Sequence, residues 1–267
     1  MTIFLYELKM YRKSIIIWCS SISGMMFMFM AIYPSFAADA SLMEMMLANY
    51  PEEFLKAFGM AGNLSLSSVL GYFGFTFVYI QLCLAIQSAN YGFHFLSVEE
   101  RELTADFLMS KPVSRRKIFI SKFMAAFAAL SITNIVVGLV SLASVAVFND
   151  GNEWKAVNIV VLISSTVFFQ LFFVSIGMLI SVSVKKIRSV LAFSMSLSFG
   201  LYILNAMRGI FGGELLGIIT PFYHFEPGYI LEFGRYNIEK SVISFAIIFV
   251  SIVISWVLYS RRNIHSL

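Results

Sequence analysis

Three histidines, two cysteines and 15 acidic residues are all that this 267-residue chain offers for acid–base, nucleophilic or metal chemistry. His94, His224 and His265 are scattered, and no zinc-type ligand spacing can be built from them. Cys19 and Cys83 fall inside apolar stretches and read as small buried hydrophobes, with no disulfide framework or metal motif around them. No Gly-x-x-x-x-Gly-Lys-Ser/Thr occurs, nor any Gly-Lys pair, so the chain does not bind ATP through a P-loop of its own. A Gly-x-Ser-x-Gly element is missing as well. The expectation is a protein that is not an enzyme by itself and binds no metal or cofactor.

Two sets of polar residues remain. Three amides, Gln81, Asn134 and Gln170, sit near the middle of long apolar runs. They either line a translocation path or join helices by hydrogen bonds worth about 0.6–2 kcal/mol each, and helix joining is the favoured reading. The second set is the charged segment from Ser97 to Arg115. Ser97 with Glu100 three residues on forms a capping box, which predicts a helix starting there. Glu99, Glu100 and Glu102 suit the positive end of its dipole. Leu103 and Phe107 share a face with Leu108 beside them, Pro112 ends the helix, and Ser114 can cap the next. The product is a short amphipathic handle over 97–109. On spacing alone, such a connector is more often solvated than docked.

The elements that hold these residues are apolar. Hydrophobic residues make up 59% of the chain and charged ones 13%, about half the share found in soluble domains. Uncharged runs cover Ser14–Tyr33, Ser67–Phe93, Phe123–Phe148, Ala156–Val184, Ser189–Met207 and Ser241–Ser260. Each approaches or exceeds the roughly 20 residues needed to cross a bilayer. The expected architecture is an all-α membrane protein with six transmembrane helices, forming one domain over 1–267.

Placing both termini in the cytoplasm puts most of the 19 Lys and Arg residues inside. Only Lys56, Lys155, Arg208, Arg235 and Lys240 are left outside, so the positive-inside rule selects this orientation and makes the handle cytoplasmic. The basic excess therefore describes membrane topology and gives no sign of nucleic-acid binding. Residues 1–13, with Phe4, Leu8 and Tyr11 on one face, predict an interfacial helix before the first span. Ser35-Phe-Ala37 resembles a signal-peptidase site, but the apolar stretch before it is too long for a signal peptide and reads as a retained span. Pro34–Leu66 predicts an outer loop with short surface helices broken near Pro51. Residues 205–240 are too apolar for a solvated loop and too rich in Gly and Pro for a span. A half-inserted, re-entrant outer segment satisfies both facts.

Acidic, basic and histidine residues are absent from the six cores, although ion-coupled transporters keep such groups despite about 2.5–3.5 kcal/mol each on insertion scales. Uphill movement of a substrate would thus draw its energy from another, cytoplasmic subunit.

Glu99-Glu-Arg-Glu-Leu-Thr104, followed by Phe107-Leu-Met-Ser-Lys-Pro-Val-Ser-Arg115 and Lys122, resembles a pattern in permease subunits of second-class ABC transporters, the type V exporters. That pattern reads Glu-Glu-x-x-Gly-Thr-x-x-x-Leu-x-x-x-Pro-Val-Ser-Arg with a Lys seven residues later. Tyr6-Glu-Leu-Lys9 and Thr220-Pro-Phe-Tyr-His-Phe-Glu-Pro227 extend the resemblance over the chain, and Leu103 departs from it by standing at the Gly position. The resemblance implies a bacterial plasma-membrane permease working as a homo- or heterodimer with separate ATP-binding subunits, which hold the ATP and magnesium. It implies export of an amphipathic or hydrophobic substrate such as a peptide, drug or lipid. It makes 97–109 a coupling helix, with Glu99, Glu100, Arg101, Glu102, Leu103, Thr104, Phe107, Leu108 and Arg115 meeting the ATPase. It makes 205–240 an outer gate around Pro221, Phe222, Tyr223 and Phe225. The alternatives are a membrane anchor for a cytoplasmic partner and an integral-membrane enzyme.

Overall fold

The computed structural model describes residues 2–51, 55, 64–101, 113–184, 187–211 and 214–261. Ten helices account for nearly all of them: α1 (Thr2–Ala38), α2 (Ala40–Leu47), α3 (Val69–Arg101), α4 (Arg115–Phe148), α5 (Ala156–Ser183), α6 (Val190–Phe211), α7 (Glu214–Ile219), α8 (Pro221–His224), α9 (Pro227–Phe233) and α10 (Ile238–Arg261). No strand occurs among the described residues. α1, α3, α4, α5, α6 and α10 are the six helices long and apolar enough to cross a membrane.

α3 and α5 form the centre. α1 packs on α4, while α6 and α10 flank α3 and α5 respectively. The two central helices cross where Gly92 meets Gly177. A Cβ built on Gly92 would lie 2.5 Å from the Val174 carbonyl oxygen and 3.1 Å from the Gly177 Cα. Backbones approach this closely only where side chains are missing, the usual device for helix contact where lipid supplies no hydrophobic drive. Ala85 and Ala89 continue the seam, fully buried. The outward surface is greasy: Ile135, Leu139, Val157 and Phe249 are each more than 60% exposed. Apolar faces of this extent on long helices are what lipid solvates.

Several local features differ from the sequence expectation. Residues 1–13 do not form a separate helix: α1 runs unbroken from Thr2 through Ser35-Phe-Ala37 to Ala38. At about 1.5 Å per residue it is roughly 55 Å long, well beyond the ~30 Å hydrocarbon. No Gly or Pro lies between Leu5 and Ile22 to break it. No new helix begins at Ser97 either, because α3 continues to Arg101. Ser20 and Gly24, small residues four apart whose spacing in the sequence suggests a helix-packing contact, face away from the bundle, with nothing within 4 Å of a Cβ placed on Gly24. Ser114 does cap the following helix, accepting from the Lys117 amide, so α4 starts at Arg115, eight residues before its uncharged run.

Candidate functional site

The helix ends at the start of the 97–109 segment are tightly tied together. Ser97 to Arg101, including Glu99 and Glu100, are the last turns of α3, whereas Glu102, Leu103, Thr104, Phe107 and Leu108 lie outside the described residues. Just below, Lys122 of α4 is 5% exposed, and its Nζ donates to the Phe95 carbonyl at 2.8 Å. The same Nζ lies 3.9 Å from Glu7 Oε1 on α1. A buried ammonium survives only where its charge and protons are matched, and here two other helices supply the match. Phe95, Phe119, Tyr259 and Trp256 pack around this point with centroids 5.0–6.2 Å apart, three of the ring pairs edge-on and the Phe119–Tyr259 pair tilted. Arg115 is placed on the last carbonyls of α10, its Nη1 3.1 Å from Ser260 O, where a cation complements the helix dipole. One turn deeper, Tyr11 stacks on Tyr91 at 4.5 Å, and Ser14 bonds the Tyr91 hydroxyl at 3.1 Å. The ends of α1, α3, α4 and α10 therefore form one knot beneath the handle.

Two of the mid-span amides join helices to each other, and the third ties α3 to the connector between α8 and α9. Asn134 Nδ2 on α4 donates to Gln170 Oε1 on α5 at 2.7 Å, and Thr166 donates to Asn134 Oδ1. Gln81 Nε2 donates to the Phe225 carbonyl at 2.9 Å. A fourth buried amide, Gln87, which sequence reasoning did not single out, donates to Thr133 across α3 and α4 at 2.9 Å.

At the opposite end of the bundle, the 205–240 segment starts later and ends earlier than the sequence suggests: α6 continues to Phe211 and α10 begins at Ile238, and the short helices α7, α8 and α9 lie between them. Pro221, Phe222 and Phe225 are buried, and Phe222 sits edge-on to Phe169, Phe173 and Tyr202. Depth follows from the Gln81 bond. Gln81 is twelve residues into α3, so the Phe225 backbone stands about 18 Å below the start of that helix. Pro221 and Pro227 open their helices and Gly234 closes α9 in the left-handed conformation, which explains the breaks. Tyr223 alone of the four predicted gate residues points towards charge, lying between Arg208 and Lys240.

Among the described residues, no three His, Cys, Asp or Glu side chains gather into a metal-binding group. Residues 1–264 match the family model described as ABC-2 family transporter protein. None of the curated proteins compared with the chain matches it.

Proposed function

The chain belongs to the ABC-2 transporter family and is a multi-pass membrane permease subunit, and from this premise we propose that it takes its drive through the 97–109 handle from a separate cytoplasmic ATP-binding subunit. The observation that carries the reading is the knot under the handle. Lys122 couples the end of α3 to α1 and α4, and the Phe95–Phe119–Tyr259 cluster adds α10. A pull on the handle thus moves four helix ends as a body rather than bending one loop. ATP hydrolysis and magnesium binding belong to the partner. Glu99, Glu100, Arg101 and Glu102 supply the polar contacts and Leu103, Phe107 and Leu108 the apolar ones, with Thr104 among the contacting residues.

At the other end, 205–240 acts as the outer gate, re-entrant to mid-membrane, with Phe222 and Phe225 as its plug. A second permease copy covers α1 and α6, the two candidate spans least buried by their own chain. The transported substrate is amphipathic or hydrophobic, and the direction is export from a bacterial cell with both termini inside. The absence of ionisable residues from the span cores supports external drive over ion coupling.

The experiment is purification from native membranes followed by ATP turnover. An ATP-binding subunit co-purifies, and its turnover responds to this chain. Glu100→Lys with Arg101→Glu lowers the affinity of that complex about 30-fold, the equivalent of ~2 kcal/mol for broken interfacial charge pairs. Unchanged coupling in the double variant counts against the handle as the contact. Co-purification of a partner without nucleotide turnover favours the anchor reading instead.

A further inference from the structure

Two contacts fix how α1 and α4 lie side by side. Cys19 Sγ donates to Thr133 Oγ1, 114 residues on, and Glu7 faces Lys122 at nearly the same offset, so the helices run parallel and in register. On that register Lys9 and Arg12 stand level with Phe123 and Ala126, where the uncharged Phe123–Phe148 run begins. In α1 itself the uncharged Ser14–Tyr33 run spans about 30 Å, the thickness of the hydrocarbon, and Arg12 lies just outside it. Both helices therefore put Lys9 and Arg12 at the headgroup layer on the N-terminal side of the membrane.

These two cations look outward. Glu7, Tyr11 and Ser14 share the face of α1 that meets Lys122 and Tyr91. At 100° per residue, Lys9, Arg12 and Ile16 fall on the opposite face, and all three are exposed. Glu7 is the only carboxylate of α1, and it is turned to Lys122. Neither Lys9 nor Arg12 has an ion-pair partner among the described residues. Beside them a groove of about 460 Å³ opens between α1 and α4, lined by Leu8, Lys9, Arg12, Ile15 and Ile16 of α1 and by Ile132 of α4. From Lys9 and Arg12 inward, it turns wholly apolar within about one helical turn, at Ile15, Ile16 and Ile132.

We propose that this groove binds one anionic phospholipid, its phosphate held by Lys9 and Arg12 and an acyl chain laid along Ile15, Ile16 and Ile132. Cations at headgroup level above an apolar trough between two spans match the charge and the length-wise polarity of such a lipid. A second copy seated on the same end by two-fold symmetry would meet these cations with its own, which favours the lipid there. The site requires only that α1 and α4 span a bilayer, so it stands apart from the proposal about the ATP-binding subunit. With both termini inside, its leaflet is the cytoplasmic one.

The test uses the full chain purified in detergent without any partner. Thermal unfolding is followed during titration with phosphatidylglycerol and, separately, with phosphatidylcholine and inorganic phosphate. Phosphatidylglycerol raises the unfolding temperature of the wild type, and the other two do so less. Lys9→Gln with Arg12→Gln raises the half-saturating phosphatidylglycerol concentration about 30-fold, close to fivefold for each cation near the membrane surface. Lys9→Arg with Arg12→Lys, which keeps both charges, retains the response. Arg116→Gln with Lys117→Gln, which removes two exposed cations of α4 outside the groove, leaves it near the wild-type value. Should the Lys9 and Arg12 double variant fail to fold, Arg12→Gln alone reads the effect at about fivefold. No stabilisation of the wild type, or an equal loss in both double Gln variants, overturns the site. An equal response to phosphatidylcholine or to inorganic phosphate overturns its assignment to an anionic lipid. A changed oligomeric mass in the Lys9 and Arg12 variant, with its lipid response intact, gives the face to a second copy instead.

Discussion

Gly92→Leu is expected to leave no monodisperse protein. The obstructing atoms are the Val174 carbonyl oxygen at 2.5 Å and the Gly177 Cα at 3.1 Å, both backbone of the facing helix. A flexible side chain would swing aside, whereas a backbone forces α3 and α5 apart along their whole seam. Overpacking in a dense interior costs about 1–3 kcal/mol, and this position belongs at or beyond the upper end because each of the other four spans packs on one or both of that pair. Gly24→Leu is the matched control, with nothing within 4 Å of the added Cβ. Size-exclusion profile and unfolding temperature in detergent separate the two. Aggregation of Gly92→Leu beside wild-type behaviour of Gly24→Leu is the predicted pair of results. A folded Gly92→Leu protein would mean that the central crossing is misassigned.

Lys122→Met should give the second-largest effect, read in function as well as stability. The substitution keeps the apolar stem but removes the donor to Phe95 O and the cation facing Glu7, whose side chain is only 14% exposed. Losing one side of a buried ion pair together with a 2.8 Å hydrogen bond costs about 3 kcal/mol of stability. Glu7→Gln should cost less, because the Lys122 ammonium keeps the carbonyl and the Phe95 ring 5.8 Å away. The functional readout is the permease-dependent part of ATP turnover in the assembled complex. Lys122→Met is predicted to abolish most of it even at temperatures where the protein remains folded, since the end of α3 then loses its tie through Lys122 to α1 and α4. Full coupling in a folded Lys122→Met complex would remove the knot from the mechanism.

The six spans were legible because an uncharged run of about 20 residues has no polar face to turn to water and is just long enough to cross lipid. The broken 205–240 segment was legible for a similar reason: Gly and Pro inside an apolar stretch forbid a span, and apolarity forbids a solvated loop. What the sequence did not reveal is which residues meet across distance. Lys122 reads as one more inner-flank cation at the edge of the Phe123–Phe148 run, and only the approach of Glu7 and Phe95 turns it into a buried joint. Gly92 and Gly177 are single glycines in separate spans, and periodicity within one helix does not show which glycine faces which. The Ser20 and Gly24 spacing gave a packing signal on a face that this chain leaves open. The amphipathic pattern of residues 1–13 is the same for an interfacial helix and for the first turns of a long span, so composition could not choose between them. Arg208, Tyr223 and Lys240 are separated by 15 and 17 residues, and no local motif relates them.

The most direct measurement is photo-crosslinking from position 100 in intact cells. With a photoreactive amino acid in place of Glu100, the account predicts a covalent adduct with an ATP-binding subunit and protection from membrane-impermeant reagents added outside. Labelling of position 100 by an external reagent, with no such adduct, would contradict it.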